Sequence, residues 1–257
     1  MSKTNLLLIL LSATIIGCGN QAGRETLTQV GTFDALLAGG YDGSFPLREL
    51  LQNGDFGTGT FDALNGEMVV LDGQIYQVTA DGKVALADLN GKTPFATVTF
   101  FDCDRQIEIP AGTDFDSLTK IIDAVLPTQN IFYAIRIDGH FSSVKTRSVP
   151  VQSRPYKLLI EIAATQPEFD LEDVAGTIVG FRCPPYVAGI NVPGYHLHFI
   201  SKDRQAGGHL RTFRTAGKAV VKIDYSHSFS MILPHDQDFY KADLTVDKQA
   251  DTKKVEK

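Results

Sequence analysis

Apolar and polar residues alternate along many short segments of this 257-residue chain, and a period of two predicts β-strands. The clearest example is residues 65–78, where two apolar runs flank Asp72-Gly73, a dipeptide typical of a tight hairpin turn. A second hairpin is predicted over residues 131–149, with Asp138-Gly139 as its turn. Strands therefore dominate the predicted secondary structure.

Helical spacing of apolar residues is confined to short stretches. The clearest stretch follows Asp114, which we predict to be the N-cap of a helix whose buried face includes Ile121, Ile122 and Val125. Strands and helices do not alternate regularly, as they would in a parallel α/β fold. We predict an α+β fold with two sheet-containing halves, mixed or antiparallel strands and a few short helices.

The first eighteen residues have the pattern of an export signal. Lys3 precedes an apolar run, and Ile15-Ile16-Gly17-Cys18 resembles the lipobox of bacterial lipoproteins. We expect an exported protein, anchored in the bacterial envelope by a lipid on Cys18. The alternatives are a plain secretory signal and an apolar N-terminal helix of a cytoplasmic protein.

The rest of the chain is divided by changes in composition. Residues 19–27 are polar and contain glycine, which predicts a tether. A boundary is predicted at Pro150 to Pro155, giving an N-terminal sheet domain over residues 28–155 and a C-terminal metal-binding sheet domain over residues 156–257. The last segment, residues 246–257, is charged and predicts a frayed tail.

The charge balance limits the classes of partner. The formal net charge is −6 and the isoelectric point is near 5.5. An acidic chain is repelled by nucleic acid and by anionic membrane surfaces, so we expect neither as a partner. The lipid anchor would then be the only contact with a membrane.

Candidate chemistry concentrates in the second half of the chain, in residues 195–200. Residues two apart in a strand project from the same face, so His196 and His198 should point together. The glycine-bearing run at residues 201–208 predicts a hairpin loop that would return His209 beside them. Three neutral imidazoles can bind zinc or another divalent transition metal and leave a position for substrate or water. The alternative is that the His-x-His pattern arises by chance.

Several short motifs follow one another along the chain, at residues 41–43, 54–62, 64–68, 71–73, 93–96, 136–139, 144–150, 194–199 and 207–209. In this order they resemble the acetolactate decarboxylase family, and they cover nearly everything after the signal segment. The resemblance implies a homodimeric enzyme that converts 2-acetolactate to acetoin and carbon dioxide with a zinc-type metal.

The same resemblance implies roles for individual residues. The metal ligands would be His196, His198 and His209. The catalytic residues would be Glu67, Arg147 and, near the C-terminus, Glu256. Thr58, in the glycine-rich segment, is predicted to line the substrate pocket through its backbone.

The implied chemistry suits these residue types. Loss of carbon dioxide leaves an electron pair that the ketone oxygen must accept, and zinc would polarise that ketone and the neighbouring hydroxyl. Arg147 is expected to bind the substrate carboxylate. Glu67 or Glu256 is expected to protonate the carbon of the enediolate.

Three other interpretations share the histidine pattern. A cupin-type dioxygenase would need a glutamate shortly after His198, where the chain has Ser201-Lys202-Asp203. A carbonic-anhydrase-like zinc hydrolase or lyase has the same three-histidine geometry. A surface lipoprotein that binds metal without catalysis would need no cation such as Arg147 to hold a substrate.

Overall fold

The computed structural model describes residues 25–256. Its strands are β1 (Thr26–Val30), β2 (Phe45–Pro46), β3 (Phe56–Thr60), β4 (Glu67–Leu71), β5 (Gln74–Val78), β6 (Val84–Leu86), β7 (Lys92–Thr93), β8 (Ala96–Thr99), β9 (Arg105–Ile109), β10 (Phe132–Arg147), β11 (Glu168–Cys183), β12 (Gly194–Ser201), β13 (Gly207–Thr215), β14 (Ala219–Ser226) and β15 (Ser228–Ile232). Its α-helices are α1 (Phe33–Leu37), α2 (Leu47–Leu50), α3 (Phe115–Asp123), α4 (Leu159–Ala163), α5 (Gln237–Lys241) and α6 (Gln249–Glu256). The predicted signal segment, Cys18 and most of the tether lie outside the described residues.

Two sheets contain most of these strands. The first has seven strands in the order β15-β1-β8-β3-β4-β5-β6, and only the β1–β15 pair is parallel. The second has six strands in the order β11-β12-β13-β10-β14-β9, and an additional pairing of β10 with β11 closes four of them into a ring. The predicted α+β fold, with mixed and antiparallel sheets and short helices, is confirmed.

The hairpin predicted over residues 65–78 is confirmed. Strands β4 and β5 pair in antiparallel register, with Leu71 opposite Gln74. Asp72 and Gly73 have φ angles of 52° and 74°, so both turn residues are left-handed. Two left-handed residues form the type I′ turn that matches the twist of paired strands.

The hairpin turn predicted at Asp138-Gly139 is wrong, because these residues continue a single long strand. Asp138 pairs with Thr177 of β11 on one side and with β14 on the other. Its carboxylate accepts hydrogen bonds from Arg136 and Thr177 instead of forming a turn. A Cβ added to Gly139 would lie 2.9 Å from the Cβ of Ala219, so the glycine permits close approach of two strands.

Helix α3 begins where the sequence predicts it. The Asp114 carboxylate accepts a hydrogen bond of 3.0 Å from the backbone N–H of Ser117, which satisfies one of the free N–H groups of the first turn. Leu118 and Ile122 are fully buried against the closed ring of the second sheet. The helix therefore adds to the apolar core of the second sheet.

We expect Asp114→Ala to lower the free energy of unfolding by about 1 kcal/mol, because the first turn of α3 loses its cap. Asp114→Asn should retain most of the stability, since asparagine caps helices equally well. Urea unfolding of the two variants measures the difference. Equal loss in both would show that the ion pair of Asp114 with Arg214, and not the cap, stabilises the helix.

Apolar side chains from both sheets pack between them. Phe56 of β3 and Phe181 of β11 meet edge to face, with ring centroids 6.0 Å apart. A separate apolar cluster joins α1, α4 and α6, close to the β12–β13 hairpin that carries the predicted histidines. This second cluster forms the apolar wall of the site described below.

Sheet membership crosses the predicted boundary near residue 155. Strands β9 and β10 come before it and belong to the second sheet, whereas β15 comes after it and belongs to the first. The sheets therefore exchange strands, and the division into domains 28–155 and 156–257 stays a prediction. Within residues 25–256, no helix is both long and apolar enough to cross a membrane.

Candidate active site

The three predicted histidines lie together on the β12–β13 hairpin. His196 and His198 project from one face of β12, and His198 pairs directly with His209 of β13. The ring centroids are 5.1, 5.2 and 5.4 Å apart, and the candidate ligand nitrogens all lie within 4.8 Å of one another. The predicted convergence of these imidazoles is confirmed.

A glycine allows the hairpin to approach the neighbouring strand at this point. Gly208 has a φ angle of +130°, and a Cβ there would lie 2.5 Å from the carbonyl oxygen of Arg147. Only glycine tolerates both conditions. The next residue, His209, consequently pairs with Arg147, which places an imidazole and a guanidinium side by side.

The hydrogen bonding of His198 orients its ring for metal binding. Its Nδ1 lies 2.9 Å from the carbonyl oxygen of Met68, which can only accept, so Nδ1 carries the proton. The lone pair of Nε2 is then directed toward His196, whose own Nε2 is 3.3 Å away. Burial holds the pKa of both His198 and His209 well below the usual range, so both rings are neutral.

These nitrogens fit one tetrahedral metal ion. Zinc–nitrogen bonds of about 2.1 Å separate neighbouring ligand atoms by about 3.4 Å in a tetrahedral site. The 3.3 Å separation in the His196–His198 pair matches this spacing. The backbone carbonyl behind His198 is the outer hydrogen-bond partner that metal-bound histidines usually have. The three histidines can therefore hold a divalent ion.

Glu67 is buried beside the histidines, although its place at the head of a strand favours a surface carboxylate by sequence alone. Its carboxylate lies 3.6 Å from Nε2 of His198, and the residue is only 8% exposed. Burial, opposed by the charge of Arg147 and aided by the charge of Glu256, raises the pKa of Glu67 to about 8. Glu67 is therefore a carboxyl that can hold a proton near neutral pH.

The frayed tail predicted at the C-terminus is wrong for most of its length. Residues 249–256 form α6, which docks with Val255 buried in the apolar cluster. The carboxylate of Glu256 lies 3.8 Å from Nε2 of His196 and 3.9 Å from Nε2 of His209. Composition predicts fraying because most of this segment is charged. In the structure, the burial of Val255 and the contacts of Glu256 with the histidines fix its position.

Arg147 connects this helix to the histidine hairpin. Its guanidinium donates a hydrogen bond to the carbonyl oxygen of Val255, and the residue is 5% exposed. Burial lowers the pKa of Arg147, while the charges of Glu256 and Glu67 raise it. A guanidinium remains protonated in any protein, so the site contains a fixed positive charge.

A cavity connects these groups. Its polar end holds the three histidines, both glutamates and Arg147; its apolar end is lined by Phe33, Leu36, Leu64, Phe95, Val149 and Leu159. Thr58 does not line this cavity, although its neighbours Gly59 and Thr60 do. Thr58 is instead buried within β3.

Sequence reasoning assigned no role to several residues of the lining. Gln166 is a polar side chain at the cavity and lies outside every motif quoted above. Leu64 begins the motif at residues 64–68 and is held at the cavity with a φ angle of +57°, which is unusual for a leucine. Asp203, the acid that a cupin-type site would need, bonds to Ser201 in an exposed turn.

Fold and site together define a class of protein. It is an α+β protein with a pocket in which three imidazoles able to hold a metal ion face one buried arginine and two glutamates.

Comparison with known proteins identifies the family within this class. The model of the alpha-acetolactate decarboxylase family matches residues 27–246. The alpha-acetolactate decarboxylase of Methanosarcina mazei is 47% identical over 233 residues, covering 91% of this chain and 81% of that protein. The Bacillus subtilis protein of the same name is 43% identical over 216 residues, or 84% of each chain. The crystal structure of alpha-acetolactate decarboxylase from Bacillus subtilis superposes with a TM-score of 0.87 and 40% identity over 90% of this chain and 98% of that one.

The chain therefore belongs to the alpha-acetolactate decarboxylase family and is an enzyme. The resemblance drawn from the sequence motifs is confirmed. The matched range includes every predicted site residue except Glu256, which lies beyond its end.

Proposed function

We propose that this enzyme converts 2-acetolactate to acetoin and carbon dioxide in the cavity described above, with zinc or a similar divalent metal held by the three histidines. The proposal rests on one observation: the three imidazoles, a buried arginine and two carboxylates line the same pocket. The substrate is inferred from the names of the relatives, which are alpha-acetolactate decarboxylases.

The charges of the site suit an anionic substrate. A bound divalent metal supplies Lewis acidity, which stabilises negative charge developing on a substrate oxygen. The metal and Arg147 supply three positive charges against at most two negative charges on the glutamates, so at least one net positive charge remains in the pocket. A substrate carboxylate would neutralise that charge.

Arg147 is the residue suited to hold the substrate carboxylate. Its guanidinium has five N–H donors, and only one bond to protein, to the carbonyl oxygen of Val255, is needed to orient it. The remaining donors can bind a carboxylate in bidentate fashion. Held in this way, the carboxylate stays fixed while the bond to the adjacent carbon breaks.

The reaction then requires one proton at carbon. When carbon dioxide leaves, the electron pair of the broken C–C bond passes to the ketone oxygen as an enediolate, and a proton must reach the carbon that lost the carboxylate. Glu67 is suited to deliver it, because its carboxyl lies 3.6 Å from Nε2 of His198 and its burial favours the protonated form. Glu256, which lies beside His196 and His209, is the second candidate donor.

The apolar wall completes substrate recognition. Leu64, Phe95 and Val149 line the end of the cavity away from the charged groups. The two methyl groups of 2-acetolactate can pack against such a surface while its polar groups face the histidines. This orientation presents the ketone and hydroxyl oxygens to the metal and the carboxylate to Arg147.

The deciding experiment is acetoin production from racemic 2-acetolactate by the purified protein lacking residues 1–18. We expect activity to disappear on chelation and to return when zinc is added. His198→Ala should lose both bound metal and activity, whereas His140→Ala, which changes a half-exposed histidine outside the site, should lose neither. A folded, zinc-loaded sample that makes no acetoin would overturn the proposal and would favour a zinc hydrolase or a metal-binding lipoprotein.

We also propose export with a lipid on Cys18 and assembly into a homodimer, as the sequence motifs and the resemblance predict. Mass spectrometry of the N-terminal peptide from membrane fractions tests the lipid. Sedimentation equilibrium of the protein lacking the signal segment tests the dimer. An unmodified N-terminus in the cytoplasm, or a monomer, would contradict these proposals.

A further inference from the structure

A second group of acidic side chains lies at the opposite end of β10 from the active site. Glu25, Asp104 and Asp224 offer carboxylate oxygens that all lie within 4.8 Å of one another. Asp224 pairs with Ala134 near the start of β10, whereas Arg147 ends that strand. The group is therefore separate from the histidine site.

Two oxygen atoms at this group are buried without a partner. Asp224 is 0% exposed; its Oδ2 accepts the backbone N–H of Asp102 at 3.3 Å, but its Oδ1 has no hydrogen-bond partner within residues 25–256. Ser226 is also 0% exposed, and its hydroxyl has no described partner. Residues two apart on β14 share a face, so this hydroxyl lies on the side of Asp224. Buried polar atoms are almost always paired, so both oxygens indicate a bound ligand.

The charged groups that shift the pKa of Asp224 are all acidic. The charged groups that act on Asp224 are Asp102, Asp104 and Glu25. The neighbouring basic residues are engaged elsewhere: Arg105 donates to the carbonyl oxygen of Val125 at 2.9 Å, and Lys222 pairs with Asp138 at 3.5 Å. A buried carboxylate surrounded by other carboxylates must be neutralised, either by a proton, which the rise of the Asp224 pKa to about 7 favours, or by a cation.

We propose that Glu25, Asp104 and Asp224 bind a calcium ion, with the hydroxyl of Ser226 as a further oxygen ligand. The donors are all hard oxygen atoms, with no imidazole or thiolate among them, which disfavours zinc and other transition metals. Calcium accepts six to eight such oxygens in irregular geometry, whereas magnesium demands a near-ideal octahedron. The three carboxylates come from separate segments of the chain, so calcium, which tolerates irregular geometry, fits them better than magnesium.

The positions of the ligands give this ion a structural role. Glu25 immediately precedes β1 of the seven-stranded sheet. Asp104 immediately precedes β9, and Asp224 lies on β14, both in the six-stranded sheet. Calcium would therefore connect the two sheets and stabilise the fold without contact with the substrate cavity.

The test is thermal unfolding of the zinc-loaded protein with and without added CaCl2. At about a hundred times the dissociation constant, calcium should raise Tm by roughly 5–10 °C. The decarboxylase rate at a temperature where all samples are folded should not change. Terbium gives a direct readout of binding: the chain has tyrosines and no tryptophan, and Tyr225 donates its backbone N–H to Asp104 at 2.7 Å. Tyrosine-sensitised Tb³⁺ luminescence should appear and be displaced by Ca²⁺.

Variants identify the ligands. Asp224→Asn and Asp104→Asn should each lose the calcium-dependent rise in Tm and the terbium signal, whereas Glu172→Gln, which changes an exposed carboxylate elsewhere, should retain both. If Asp224→Asn does not fold, the exposed Asp104 decides the question. Absence of both responses in the unchanged protein, or full responses in Asp104→Asn, would overturn the site. A response to Mg²⁺ but not to Ca²⁺ would overturn the choice of calcium.

Discussion

Glu67→Gln is expected to lower kcat for acetoin formation by about 10²–10⁴-fold, the range typical for loss of a general acid or base. Glutamine keeps the size of the side chain and can still bond to its neighbours, but it cannot transfer a proton. The bound metal should remain at one ion per chain, because the three histidines are unchanged. Steady-state kinetics with metal analysis of the same preparation measures both quantities.

Glu256→Gln is the matched comparison, because Glu256 lies beside His196 and His209 as Glu67 lies beside His198. We expect a smaller loss of kcat in this variant. If Glu256→Gln shows the larger loss while Glu67→Gln stays active, the proton comes from Glu256. Loss of metal in Glu67→Gln would instead show that Glu67 acts as a ligand.

Deletion of residues 249–257 is expected to lower kcat/KM by at least about 100-fold, the scale of a small misplacement of a catalytic group. The deletion removes the Val255 carbonyl that orients Arg147 and the Glu256 carboxylate that faces the histidines. The fold should survive, since burial of Val255 contributes only about 1.5–3 kcal/mol to a total of roughly 5–15 kcal/mol. Circular dichroism and kinetics of the truncated protein measure the two effects separately.

Val255→Ala separates docking of the helix from the chemistry of Glu256. The smaller side chain should weaken the packing of α6 and raise KM. Those molecules in which α6 is docked should keep their normal kcat. A truncated enzyme with unchanged kcat/KM would contradict a catalytic role for α6. Loss of secondary structure on truncation would show that α6 stabilises the fold more than its buried area indicates.

The features that the sequence predicts correctly depend on residues a few positions apart. Alternation places His196 and His198 on one face of a strand, and the loop after them is short enough to return His209. Asp72-Gly73 forms its turn because both residues tolerate left-handed φ angles. Asp114 caps its helix through a bond to a backbone group three residues away.

The features that the sequence does not predict depend on residues far apart. Asp138-Gly139 has the composition of a turn but continues a strand, because strands on both sides pair with it. Glu67 stands at the head of a strand, where a carboxylate is ordinarily solvated, and is buried because the histidine hairpin packs against β4. His198 is oriented by the backbone carbonyl of Met68, and a contact to the backbone leaves no pattern of residue types in the sequence.

The sequence by itself therefore determined the α+β class, the histidine hairpin and the family, since strand periodicity, turn chemistry and ordered motifs are local properties. Only the tertiary structure decided that α6 closes the site with Glu256, that Arg147 is oriented by the carbonyl oxygen of Val255, and that Glu25, Asp104 and Asp224 converge at the junction of two sheets. These contacts join residues that are far apart in the sequence, and such pairings arise from packing of the whole chain.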